Sequence, residues 1–426
     1  MKRFTQTATL LCTLSVAVLL NAACSNIQES PNSTEGTTNQ SQVETKLKDG
    51  NYTAKAQGKN GLIHVTAVVK DGKFTDISTE DSETQGIGDK AIEQMIQDIL
   101  SKQSLDIDTT SGATYTYNGF IKAMAENAEK AGVDPKDLGY KEPAKTAEEI
   151  SNDSLMPYDW DATPHLGLIK GDYYKLEERF RQGHLGTFET IVNDDKLAYV
   201  EFNETTRPNY YVRFYQNQNK RMSEYNQNMK ERKGVAWIES VLLVEKTMLD
   251  EQRLTGDFDT VTGATNSVKQ SMLPLAEKVK SSIVPSSEFK GPKGYILNKK
   301  LDDGLIGSLK IIVENGKITD LKYDEIFPRD PKDIEAENFK KHHGLSKYES
   351  VLYEEPSRIG FNIAMDQLTQ KVIETQDLFN LEGLPAIEDS GDYKKSGFTK
   401  RNTSWDHYLE LAKELSDEMK KDNVVK

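Results

Sequence analysis

Three stretches of the chain alternate apolar and polar residues with the two-residue period of a half-buried strand. Each leads through a polar turn into a second such stretch. The first runs from Leu62 to Val69, turns at Asp71-Gly72-Lys73 and returns over Phe74 to Ile77. Thr187 to Val192, Asn193-Asp194-Asp195-Lys196 and Leu197 to Phe202 make the second, and Ser308 to Val313, Asn315-Gly316-Lys317 and Ile318 to Tyr323 the third. Asp-Gly and Asn-Gly between β-rich runs signal hairpins, because the favoured turn needs positive φ at both central residues. Farther along each segment the period changes to that of a helix. One face of the first helix carries Phe120, Ile121, Met124, Ala125 and Ala128, and one face of the second Leu275, Ala276, Val279 and Ile283. Tyr408, Leu411, Ala412, Leu415 and Met419 do the same in the third. Pro274 should delay or kink the second helix, since it has no N–H to donate. Hairpins followed by helices predict an α+β fold, built from one unit used three times.

The pattern Asp-x-x-(Ser/Thr)-Gly-Ala-Thr-x-(Ser/Thr) occurs twice, each time before a predicted helix. It covers Asp108, Ser111, Gly112, Ala113, Thr114 and Thr116, then Asp259, Thr262, Gly263, Ala264, Thr265 and Ser267. Average residue frequencies give roughly one chance match per ten thousand chains of this length. A small Gly-Ala pair leaves the next threonine open to close approach. The free N–H groups of a helix start can receive an anion such as phosphate. A plain helix cap is the alternative reading of either copy taken alone. After the first hairpin come Glu83, Thr84, Gly86 and Gly88; Gly86-x-Gly88-x-x-Ala91 also looks like a dinucleotide fingerprint but lacks the βαβ context. The second unit keeps Glu204 and Thr205, followed by Thr206, Arg207 and Pro208. At the matching place the third unit reads Thr399 to Trp405, without Gly-Ala-Thr.

Both nine-residue copies resemble the acceptor loop of the FMN-binding domain family, which has a similar Glu-Thr-x-Gly-x-Gly segment near its flavin. The resemblance implies two covalent FMN groups, attached through phosphate to Thr114 and Thr265 by an FAD-dependent FMN transferase. It makes Asp108 and Asp259 part of what that metal-dependent enzyme recognises, and it leaves the third unit degenerate and unflavinylated. The chain is further similar to PplA-like lipid-anchored flavoproteins of Gram-positive bacteria. That similarity implies electrons taken from a membrane NADH dehydrogenase and quinone pool and passed to extracellular acceptors such as ferric iron. A flavin-dependent reductase of one organic substrate and a surface binding lipoprotein are the alternatives.

Composition narrows the setting. The chain has 426 residues and a net charge of -14, which disfavours nucleic acid. Lys2 and Arg3, the apolar run Leu10 to Leu20, and Ala22-Ala23-Cys24 have the proportions of a secretion signal. The last three residues resemble a lipobox, with Asn21 where leucine is usual, and imply a lipidated Cys24 on the extracellular face of the membrane. Only Cys12 and Cys24 are present, which excludes c-type haem and cysteine-held iron–sulfur or zinc sites. The expected organisation is a signal at 1–23, a polar tether at 24–46, units at 47–140, 163–285 and 293–426, and linkers at 141–162 and 286–292. No metal site is expected: His342 and His343 beside Gly344 read as a solvated turn. Tyr210, Tyr211, Tyr215 and Tyr225 read as half-buried core residues more readily than as a flavin stack.

Overall fold

The computed structural model describes residues 46–59, 61–81, 83, 86–108, 112–146, 151–210, 215–261, 265–353, 360–385 and 403–425. Cys24 and the tether as far as residue 45 lie outside these residues, as do Ser111, Thr84 and Thr262 to Ala264. The described residues fall within one compact unit, 45–426.

An antiparallel three-stranded meander opens it: β1 (Gly50–Gln57), β2 (Leu62–Lys70) and β3 (Lys73–Glu80). Along β2 the alternate residues Ile63, Val65, Ala67 and Val69 are buried, the two-residue period read from the sequence. Two helices cover that face, α1 (Gly88–Lys102) and α2 (Thr114–Lys130). Phe120, Ile121, Met124, Ala125 and Ala128 of α2 are buried as their spacing predicts. Gly119 lets α2 cross the end of β1 in backbone contact, because a Cβ there would run into the carbonyl of Gln57.

A second meander follows, β4 (Gly167–Phe180), β5 (His184–Asn193) and β6 (Lys196–Thr205), with α3 (Tyr225–Lys233), α4 (Trp237–Asp250) and α5. Helix α5 begins as a turn at Thr265–Ser267, passes through a π turn at Val268–Met272 and continues as Leu273–Ser282. Pro274 therefore does not delay its start. The π turn, closed by Leu273 N–H to the Val268 carbonyl, takes up the irregularity just before the proline. The C-terminal part has β7 (Lys293–Lys300), β8 (Ile306–Glu314), β9 (Lys317–Ile326), α6 (Phe361–Thr375) and α7 (Thr403–Lys421). Here β4 and β7 pair antiparallel, so the two meanders form one six-stranded sheet in the order β6-β5-β4-β7-β8-β9. Hydropathy did not predict this union.

Three strands followed by helices recur along the chain, with α3 an additional helix in the second set. Each hairpin has a bulge just before its turn, at Val68/Val69, Ile191/Val192 and Ile312/Val313. Each turn takes positive φ at two residues: Asp71 and Gly72, Asp194 and Asp195, Asn315 and Gly316. A glutamine ends the first long helix of each set in the left-handed region, Gln103 at φ 52°, Gln252 at 52° and Gln376 at 58°. Its side-chain amide pairs with both backbone groups of the second residue of the third strand. Phe74, Leu197 and Ile318 donate N–H to the glutamine Oε1 at 2.9, 2.9 and 2.8 Å. Their carbonyls accept from Nε2 at 2.9, 3.0 and 3.0 Å. The helix end is thereby pinned to the strand that follows the hairpin turn.

Candidate functional site

In the first unit the acceptor turn enters α2 without a side-chain cap. Gly112 stands at φ +86°, in open space where a side chain would be strained but would meet no neighbour. Ala113 is the N-cap and is buried at 4% exposure, which roots the turn in the core. Thr114 is the first helical residue and is exposed. No acidic side chain occupies the first turn of this 17-residue helix, and the first backbone N–H to close within it is that of Tyr117, onto the Ala113 carbonyl at 2.8 Å. The N–H groups before it have no acceptor within the helix, the arrangement that suits an anion at a helix start.

Beneath the turn, the Thr116 hydroxyl donates to Glu83 Oε2 at 2.5 Å, with both residues buried. The glutamate is boxed in by two glycines. A Cβ on Gly58 would collide with Glu83 Oε1, and one on Gly88 would stand 2.8 Å from Glu83 Cβ. Glu83 and Gly88 therefore pack against the start of the acceptor helix, Glu83 through Thr116 and Gly88 against the Glu83 side chain. Gly86, at φ +83°, donates its N–H to Asp89 Oδ1 at 2.6 Å. Asp108 is exposed before the turn, and burial together with Asp106 and Asp108 raises the pKa of Tyr117.

Thr265 opens α5 and Ser267 is buried, while Asp259 is exposed. Ser271, farther along the helix, lies against Gly186 so closely that a Cβ would overlap its hydroxyl. Opposite Gly186, near the end of β6, Glu204 is buried; one carboxylate oxygen pairs with Lys220 and stands 3.3 Å from His184 Nδ1, and the other has no partner. Burial lowers the pKa of His184 despite that carboxylate. Tyr210 meets His184 edge-on at 5.3 Å, and Tyr215 meets Tyr225 at 5.3 Å. Tyr215 is core, as expected, and Tyr211 lies outside the described residues.

In the C-terminal part, α7 brings His407 between two carboxylates. Its Nε2 is 2.8 Å from Asp302 and its Nδ1 3.1 Å from Glu325. Lys347 adds a second cation to Glu325 at 2.5 Å. Burial pulls His407 down, but the bonds to Asp302 and Glu325 outweigh it and push its pKa up to about 10. Asp303 stands nearby and completes a set with metal-ligand spacing. Lys347 and the imidazolium already balance Glu325, so the cluster is a buried ion network. The expectation for His342 and His343 needs correction. Both are buried, His342 packing on Phe327 at 5.5 Å and His343 stacking on Tyr158 at 4.2 Å. Polar neighbours in sequence suggested a turn in water; the aromatic partners come from distant segments. Desolvation lowers His342 to about 4.

A cavity of about 230 Å³ opens beside the acceptor helix. Gly58, Lys59, Tyr115 and Asn118 wall one side, and Glu337, Asn338, Phe339 and His342 the other. Asn118 is 6% exposed and lies one helical turn from Thr114, on the same face. Its Nδ2 has no partner, nor do Gln57 Oε1, Glu337 Oε2 and Asn338 Oδ1. An unpaired buried polar group costs roughly 1–3 kcal/mol. Four around one cavity leave donors and acceptors for water or a polar ligand. Sequence reasoning missed Asn118 and the cavity, because the facing wall lies more than two hundred residues away.

Residues 58–129 match the FMN-binding domain family, and this segment of the chain is an FMN-binding domain. The match spans β2, β3, α1 and nearly all of α2, and so includes Glu83 and Thr114. An NADH:acrylate oxidoreductase of Vibrio harveyi is 34% identical over 114 residues, 26% of this chain and 11% of that protein. This chain thus spans about a tenth of the length of that relative. A crystal structure of the CPE2226 protein from Clostridium perfringens is 27% identical, covering 28% of this chain and 91% of the other, with a TM-score of 0.22. The residues present fit FMN: an exposed hydroxyl at an uncapped helix start suits its phosphate, and the unpaired amide atoms suit a planar polar ring.

Proposed function

We propose that this protein is an extracellular, membrane-anchored electron carrier with two covalent FMN groups, on Thr114 and Thr265. The observation that carries the reading is Thr114, exposed on the first turn of α2 behind an open Gly112 and above the buried Glu83–Thr116 pair. FMN supplies one- and two-electron chemistry when bound. The chain's own part is to hold it. Helix N–H groups neutralise the phosphate, and Glu83 locks the turn through Thr116. Thr265 of the second nine-residue copy opens α5, which supports a second group there. In the third unit no Gly-Ala-Thr precedes α7, and the His407 network lies just past its first turn; this supports a copy without flavin.

An FAD-dependent transferase attaches both groups, and Cys24 carries the lipid. The donor is a membrane NADH dehydrogenase with its quinone pool, and the acceptors are external oxidants such as ferric iron. The similarity to an NADH:acrylate oxidoreductase favours one other reading, a flavin-dependent reductase of an organic acceptor. Protein made with the transferase, reduced anaerobically and mixed with unrelated acceptors, separates the two. A carrier is reoxidised by many of them at similar rates; fast turnover confined to one organic acceptor marks a reductase.

A further inference from the structure

We propose that the cavity between the acceptor helix and residues 337–342 seats the isoalloxazine ring of the flavin on Thr114, making the C-terminal unit part of the first redox site. The inference rests on Thr114 as the acceptor. At about 230 Å³ the cavity is smaller than the roughly 300–1,000 Å³ of sites that enclose a whole ligand. It takes a planar ring and leaves the ribityl phosphate outside, where Thr114 is exposed. Asn118 shares a helix face with Thr114, so a chain leaving Thr114 along that face reaches the cavity mouth.

The unpaired atoms complement the ring's pyrimidine edge, which offers carbonyl acceptors and one N–H donor. Asn118 Nδ2 is a donor for a carbonyl, and Gln57 Oε1 an acceptor for the N–H. Tyr115 and Phe339, from opposite walls, supply aromatic surface. Lys59 stands 4.7 Å from the Tyr115 ring centre, and Lys55 joins the two units through Glu335 at 3.2 Å. Glu337 brings a carboxylate whose Oε2 is buried and unpaired, while Oε1 pairs with Lys340. Negative charge there opposes addition of an electron, so the Glu337 carboxylate holds the potential of this flavin below that set by a neutral side chain at the same place.

The test uses full-length protein carrying Thr265→Ala, so that only the flavin on Thr114 remains, with adduct mass measured in every sample. Glu337→Gln removes the charge at constant shape. It is expected to favour the reduced flavin by on the order of ten-fold in the reduction equilibrium. Asn338→Trp fills the cavity and is expected to expel the ring, raising iodide quenching of its fluorescence several-fold. In a Thr114→Ala background, where only the second flavin is present, neither change should have an effect. A full adduct on Thr114 whose potential and quenching ignore both substitutions overturns the seat alone. A missing adduct on Thr114 overturns the acceptor reading and the seat together.

Discussion

Thr116 and Glu83, thirty-three positions apart, meet in a buried hydrogen bond of 2.5 Å directly under the first turn of the acceptor helix. The bond ties the segment after β3 to the start of α2, so the turn bearing Thr114 is held from below as well as through Ala113. A hydroxyl given to a charged acceptor is among the stronger bonds a protein makes. Glu83→Ala leaves Thr116 unsatisfied in the core. It should cost roughly 1–3 kcal/mol in the first unit and reduce flavin incorporation at Thr114. Urea unfolding and adduct stoichiometry measure both; unchanged incorporation with unchanged stability contradicts the role given to this pair.

The glutamine clamps make a separate prediction. Gln252→Ala or Gln376→Ala removes two hydrogen bonds to a strand backbone, at Leu197 or Ile318. Each should lower stability by about 1–2 kcal/mol without touching the flavin count. Hydrogen exchange should quicken at the Leu197 or Ile318 amide in the matching variant. Equal protection in variant and parent shows that the clamp holds nothing.

His407 sets a pH dependence whose sign follows from its raised value. Its folded pKa, about 10, lies above the ordinary 6.5, so its stabilisation is complete below about pH 6.5 and is lost as pH rises toward 10. Unfolding of the C-terminal unit should therefore become easier across that interval. In His407→Gln this alkaline slope should flatten, while stability at pH 6 falls below that of the parent. An identical slope in the two proteins contradicts the imidazolium clamp between Asp302 and Glu325.

Anchoring is tested at Cys24, which lies outside the described residues. Cys24→Ala should release the flavoprotein to the medium with both adducts intact. Electron delivery from membranes should fall sharply, because tethering holds the carrier at a local concentration of millimolar order. Retention on the membrane with undiminished reduction of external iron removes the tethered carrier from the account.

Much of this architecture was legible in hydropathy. The three hairpins stand where Asp71-Gly72, Asn193 to Lys196 and Asn315-Gly316 placed them, and the faces of α2, α5 and α7 are those read from spacing. The strands that lead each hairpin were not seen. In β1 only Ala54 is buried, so no two-residue apolar alternation marks it. Helices α1 and α4 carried readable periodicity, in Ala91, Ile92, Met95 and Ile99 and in Trp237, Val241, Val244 and Met248, but the units were framed without them. The β4–β7 pairing is made by backbone groups, which leave no signature in side-chain pattern. At the site, the threonine and its Gly-Ala pair were evident because a ligand's approach restricts residue type. Asn118 was not, since what makes it unusual is a missing partner across a cavity closed by residues 337–342.

The central claim is attachment, and peptide-resolved mass spectrometry of protein made with the FMN transferase tests it most directly. Two FMN-phosphoryl adducts per chain are expected, one on the peptide containing Thr114 and one on that containing Thr265. Thr114→Ala and Thr265→Ala should each remove one adduct, and the double variant should be folded and colourless, with the 399–405 segment unmodified throughout. An adduct count unchanged in either single variant, or flavin on the 399–405 segment, contradicts the account.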